Sequence, residues 1–199
     1  MTSNEKFWYL IGPVIMAFTY AATYPTTQVY FVSIISPKVL AASNLVGTAL
    51  SAFVNWTIPQ AKMKEWYRNH FLYIVLVDII CFFCFSFYGL ECPEIRFIGF
   101  SFLNAVSTCL WVMVMRNTAN RIIVNGDKRT DFDALNEFST LIACFCGAAT
   151  ALIFNDVPVE YCITAQCVSN LVMGITDLYS FNMLSRAYGL DSNTKDKDN

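Results

Sequence analysis

Residues 116–137 read RNTANRIIVNGDKRTDFDALNE, the one long polar interruption in an otherwise apolar chain. Four apolar runs precede it, at 7–35, 39–58, 71–90 and 95–115, and two follow, at 134–154 and 157–184. Each run has the length of about 20 residues that a helix needs to cross a bilayer. The pattern therefore predicts an all-α, polytopic membrane protein with six transmembrane helices. Residues 191–199, DSNTKDKDN, are too polar to build a core and read as a disordered tail.

The basic residues orient this map. With the N-terminus in the cytoplasm, the inner side holds Lys6, Lys62, Lys64, Arg68, Arg116, Arg121, Lys128, Arg129, Arg186, Lys195 and Lys197. The outer side holds only Lys38 and Arg96. Cytoplasmic loops are enriched in Lys and Arg, so both termini are expected inside. Phe7-Trp8-Tyr9, Trp56, Trp66-Tyr67, Tyr161 and Tyr188 fall at the ends of spans, where aromatic belts lie. The outer connections are a few residues each and leave no room for an ectodomain.

Composition closes off other classes. Of the 199 residues 56% are apolar and 14% are charged, against about 25% charged in water-soluble domains. At a net charge of −2 with no basic face, nucleic acid is not an expected partner. The first apolar run is too long for a removable signal peptide and lacks a basic leader. Cys81, Cys84, Cys109, Cys144, Cys146 and Cys167 sit inside apolar runs, where cysteine acts as a small hydrophobe. The single histidine, His70, gives the Cys81/Cys84 pair too few companions for a zinc site. No metal and no cofactor is expected, although cysteine- and methionine-based handling of a soft metal stays open. Cys92 and Cys162 fall on the outer side, where a disulfide is open. Neither H-E-x-x-H nor G-x-S-x-G occurs, so an enzyme is not expected.

Polar residues inside the spans are the functional candidates, because lipid does not reward their burial. Gln166, Asn170, Gly174 and Asp177 form one stripe of the sixth span; Asn44, Thr48, Ser51 and Asn55 form another on the second. Tyr20, Tyr24 and Gln28 line up on the first span beside Thr26 and Thr27, and Asn104, Thr108 and Trp111 share a face of the fourth. Such stripes either join helices, at roughly 1 kcal/mol or less per hydrogen bond, or line a cavity. Asp78 and Asp177 lie at matching depths in the third and sixth spans, and a buried carboxylate there serves either as a proton-coupling group or as a structural partner of Arg186, Arg116 or a helix end. The small patch Cys146-Gly147-Ala148-Ala149-Thr150-Ala151 permits close helix approach. Asn125-Gly126-Asp127-Lys128-Arg129 reads as a turn, with helix N-cap choices at residues 130–133.

Six helices with both ends inside, a basic second-to-third loop and a long basic fourth-to-fifth loop resemble one half of a major facilitator superfamily transporter. The family's second-to-third loop reads G-x-x-x-D-R-x-G-R-R. The corresponding loop here keeps Lys62, Lys64 and Arg68 without the glycines or the aspartate. The fifth-span glycine-proline motif of family antiporters is also missing. The resemblance implies transport of a small solute by alternating access. It also implies a parallel homodimer, because the two family halves share one orientation. It places the first and fourth spans at the central cavity, with Tyr20, Tyr24, Gln28, Asn104, Thr108 and Trp111 as substrate-facing residues. The setting implied is a multi-pass protein of a bacterial inner (plasma) membrane. The alternative is a non-transporting membrane interaction protein, such as an immunity, exclusion or accessory subunit, which needs no water-filled cavity.

Overall fold

The computed structural model describes residues 1–57, 94, 119, 122–123, 126–154 and 156–189. They include four long helices, α1 (Ser3–Ile34), α2 (Pro37–Thr57), α3 (Gly126–Ile153) and α4 (Val159–Tyr188), with short connections from α1 to α2 and from α3 to α4. No strand occurs among the described residues.

Local chemistry sets the ends. Thr2 opens α1 with a capping box: its hydroxyl accepts from the Glu5 amide at 3.3 Å, and the Glu5 carboxylate accepts from the Thr2 amide at 2.6 Å. Helix α1 runs unbroken through Pro13 and Pro25. Hydroxyls of Thr19, Thr23 and Thr27 donate to the carbonyls one turn back, at 3.0, 2.7 and 3.1 Å, and keep these polar groups bonded inside an apolar helix. The α1–α2 corner is short because Pro37 suits the first position of a helix, and the Ser36 hydroxyl accepts from the Val39 amide at 3.4 Å. Gly189 ends α4 at a φ of 61°, the left-handed region where glycine carries no Cβ penalty.

The segment expected as a turn at 125–129 is mostly helical. α3 starts at Gly126, about two turns before the expected start of its span. An Arg129–Asp133 ion pair at 2.8 Å and a Thr130 hydroxyl bonded to the Gly126 carbonyl at 3.1 Å support these first turns. From Gly126 onward the residues pair at helical spacing, which carries the helix through the rest of the expected turn.

Helix α1 is the centre, with α3 and α4 packed on it. Moving up α1, Tyr9 meets Phe132, Ala17 meets Cys144, and residues 18–22 meet Gly147, so α1 and α3 run parallel. Trp8 meets Tyr179, Gly12 meets Thr176, Thr23 and Thr27 meet Gln166, and Phe31 meets Ile163, so α4 runs antiparallel. At the far end Phe31, Ile35 and Ile163 form an apolar cluster with Tyr30, Val39 and Val159, which also holds the start of α2.

Both close crossings depend on glycine. A Cβ on Gly147 would collide with the Phe18 carbonyl oxygen and lie 3.1 Å from the Ala22 nitrogen. A Cβ on Gly12 would lie 2.5 Å from the Thr176 hydroxyl and 3.0 Å from Asp177 Oδ1.

Helices α1 and α3 are long and apolar enough to cross a membrane. A core helix of a water-soluble protein hides most of such a stretch, whereas 28% is buried in α1 and 11% in α3. The outer face of α3 carries Phe138, Leu141, Phe145 and Leu152 on the surface, the last two 76% and 83% exposed. An apolar face of this extent suits contact with lipid.

Candidate functional site

The polar residues of α1 divide between two faces. Thr23 and Thr27 point into the bundle and are buried. Gln166 reaches across from α4 and donates its Nε2 to Thr23 Oγ1 at 2.8 Å and to Thr27 Oγ1 at 3.4 Å. Ser169, buried beside it, donates to the Gln166 carbonyl at 2.8 Å. This cluster is closed, since each threonine hydroxyl gives its proton to its own helix and receives the Gln166 amide. It fixes the register of α1 against α4. Gln166→Leu removes the cross-helix bonds but leaves both threonine hydroxyls bonded within α1. The expected loss is therefore only about 0.6 kcal/mol, read as a fall of roughly 1–3 °C in the melting temperature of detergent-extracted protein.

Tyr20 and Tyr24 occupy the other face. They are 53% and 42% exposed, and their rings lie 5.1 Å apart at a tilt of 39°. Gln28, one turn further, is half-buried. Two phenols and an amide in a row offer donors, acceptors and aromatic faces to a small polar molecule. The remaining substrate-facing candidates, Asn104, Thr108 and Trp111, lie outside the described residues, as does Asp78.

Asp177 is wholly buried where α4 crosses Gly12. Gln166, Asn170, Gly174 and Asp177 do share the side of α4 that meets α1, through Gln166 at one end and Asp177 at the other. Cys144, Cys146 and Cys162 are free thiols, with Cys162 buried; Cys92 lies outside the described residues.

A further contact joins the outer turns of α1 and α4. The Tyr188 hydroxyl donates to Glu5 Oε2 at 2.9 Å, on the same carboxylate oxygen that caps α1. Partial desolvation works to raise the Glu5 pKa, but the Thr2 amide and the Tyr188 hydroxyl prevail and hold its carboxyl below the ordinary value. Desolvation first, then the bond to the Glu5 carboxylate, push the Tyr188 phenol above its ordinary value. The Glu5 contribution is lost as pH falls through its lowered pKa, and that of Tyr188 as pH rises through its raised pKa, so both stand at neutral pH.

Sequence reading missed Thr23, Gly12 and the Glu5–Tyr188 bond. The Thr19, Thr23, Thr27 spacing of four was a usable signal for a bonded face. The bond between distant ends left no local trace. No protein-family model matches the chain, and it matches no curated protein and no solved structure.

Proposed function

We propose that the chain is a six-span membrane protein with both termini cytoplasmic that moves a small solute by alternating access, as a parallel homodimer of half-size, major facilitator-like subunits. The observation that carries this reading is the division of α1 into a sealed polar face, Thr23 and Thr27 with Gln166, and an open one, Tyr20, Tyr24 and Gln28. Helix–helix cohesion accounts for the first face and leaves the second unused. Bulky phenols suit a cavity wall better than a close crossing, which here is made by glycine. Asp177, buried along the same helix pair, remains the candidate for coupling to protons.

The helix directions support the topology. If α1 and α3 cross the membrane in one direction, an odd number of crossings separates them; α2 and the apolar runs 71–90 and 95–115 supply three. Antiparallel α4 returns the chain to the side of its N-terminus.

Cysteine accessibility tests the cavity. Tyr20→Cys and Tyr24→Cys are expected to react with a membrane-impermeant thiol reagent in intact vesicles, while Val29→Cys, on an exposed apolar position of α1, stays unreacted. Equal silence at all three positions would remove the cavity. A non-transporting interaction protein is favoured by Asn44 and Thr48 of α2, polar groups on an exposed face that suit a protein neighbour better than lipid. Mass measurement of the extracted protein separates the two readings: a stable homodimer supports the transporter, and assembly only with a different protein supports the other.

A further inference from the structure

The open stretch of α1 is short. Tyr20 and Tyr24 are exposed, yet Pro13 and Ala17, seven residues before them, are buried, and so are Thr27 and Phe31, seven residues after. Seven residues bring an α-helix back nearly to the same side, so the opening is bounded at both ends. Phe18, Pro25 and Val32, also seven apart, are instead exposed throughout, as contact with lipid requires. Helix α4 has a matching gap. Asn170 is half-buried, whereas Ile163 and Asp177, seven residues to either side, are 3% and 0% exposed. The two gaps lie at one level. Gln166 bonds Thr23 and Thr27, and Thr176 and Asp177 sit at Gly12, so antiparallel α4 brings Asn170, one turn past Gln166, to the level of Thr19 and Tyr20. A packed crossing buries the residues on its meeting sides. Two gaps at one level on meeting sides leave a space between the helices.

We propose that Asn170 forms the second wall of the cavity begun by Tyr20 and Tyr24, and that this cavity takes an uncharged molecule with a flat ring and an amide-like pair of donor and acceptor. The proposal rests on the transport reading for its water-filled cavity, and goes beyond it in naming the α4 wall and the class of solute. The side-chain amides of Gln28 and Asn170 and the hydroxyls of Tyr20 and Tyr24 make no hydrogen bond among the described residues. They offer donors and acceptors together, and a carboxamide pairs with another amide through both. The Tyr20–Tyr24 ring pair adds a flat aromatic surface. No carboxylate, ammonium or guanidinium occurs in α1 beyond Lys6, in α3 beyond Glu137, or in α4 between Glu160 and Asp177. A charged solute would leave water there without a countercharge, at a high cost. A neutral one exchanges its hydrogen bonds with water for bonds to amides and phenols.

The wall is tested by thiol labelling of Asn170→Cys in intact vesicles with a membrane-impermeant reagent, located by tandem mass spectrometry so that native cysteines do not interfere. Asn170→Cys is expected to react, while Ile175→Cys, at an exposed apolar position of α4, stays unreacted. Silence at Asn170→Cys with reaction at Tyr20→Cys overturns the second wall and leaves the transport reading standing; silence at both overturns the reading as well. The solute class is tested on the unsubstituted full chain in nanodiscs, by saturation-transfer titration with benzamide, benzamidinium and benzoate, which share one ring and differ in charge. Benzamide is expected to saturate, with both ions binding about tenfold more weakly or less, because burying an unmatched charge costs more than one hydrogen bond returns. Asn170→Ala should weaken benzamide about fivefold, the effect of one hydrogen bond, and Asn182→Ala, on the exposed side of α4, should not. Benzamide that fails to saturate, an ion that binds as tightly, or equal binding by Asn170→Ala overturns the assignment.

Discussion

Gly147→Ala is expected to lower the melting temperature of the detergent-extracted protein by roughly 3–6 °C, a net loss of about 1–2 kcal/mol. Two effects oppose each other. Replacing glycine by alanine inside a helix favours folding by about 0.8–1 kcal/mol. Against this, the new methyl meets α1 backbone, the Phe18 carbonyl and the Ala22 nitrogen, which cannot rotate aside. Overfilling a packed contact costs about 1–3 kcal/mol, and with rigid partners the upper part of that range applies, so the helices must part. Gly12→Ala provides the contrast. Its nearest neighbour is the Thr176 hydroxyl, which can turn to another rotamer, so its loss should be smaller. Gly126→Ala has nothing within 4 Å and should be neutral or slightly stabilising. Thermal unfolding of the three variants side by side checks the order, and equal losses at Gly147 and Gly126 would refute the close crossing.

Phe132→Ala is expected to have the largest effect, a loss of about 3 kcal/mol or more and a fall of roughly 6–12 °C in melting temperature. Phe132 is 2% exposed and meets the buried ring of Tyr9 edge-on at 5.1 Å. Truncation removes the packed ring and an aromatic contact that adds about 0.5–1.5 kcal/mol beyond its area. The variant also tests the early start of α3, because Phe132 precedes the apolar run read from sequence. Phe145→Ala removes the same side chain from the outer face and should change stability little. Similar losses for the two would mean that α3 is packed by the opposite face.

Much of the helical layout is legible in the amino-acid sequence. Apolar runs bounded by Ser36-Pro37-Lys38 and Asp156-Val157-Pro158 place helix ends near those found, because proline and polar residues interrupt apolar helices for local reasons. The start of α3 is less legible. Its first turns are charged and are held by the Arg129–Asp133 pair and by Phe132 against Tyr9, a contact with a residue more than a hundred positions away.

Candidate residues show the same division. Spacings of four and seven residues put Gln166, Asn170 and Asp177 on one stripe, and tertiary packing gave that stripe its partner in α1. Tyr20 and Thr23 are close in sequence and both polar, yet one is exposed and the other buried. Helical periodicity says which residues share a face, and it is silent on what that face meets. In a water-soluble protein hydrophobicity would separate the inner side from the outer. In an apolar surround it does not, because lipid-facing and helix-facing residues are both apolar.

By itself, then, the sequence determined that the chain is helical, how long its apolar runs are and where they stop, since backbone hydrogen bonding and local stop signals depend on neighbours along the chain. Only the tertiary structure decided that α1 is the hub, that α3 lies parallel and α4 antiparallel to it, and that glycines 12 and 147 are the crossings. Those features follow from side-chain volume and hydrogen-bond reach between residues far apart in sequence, which no local pattern encodes.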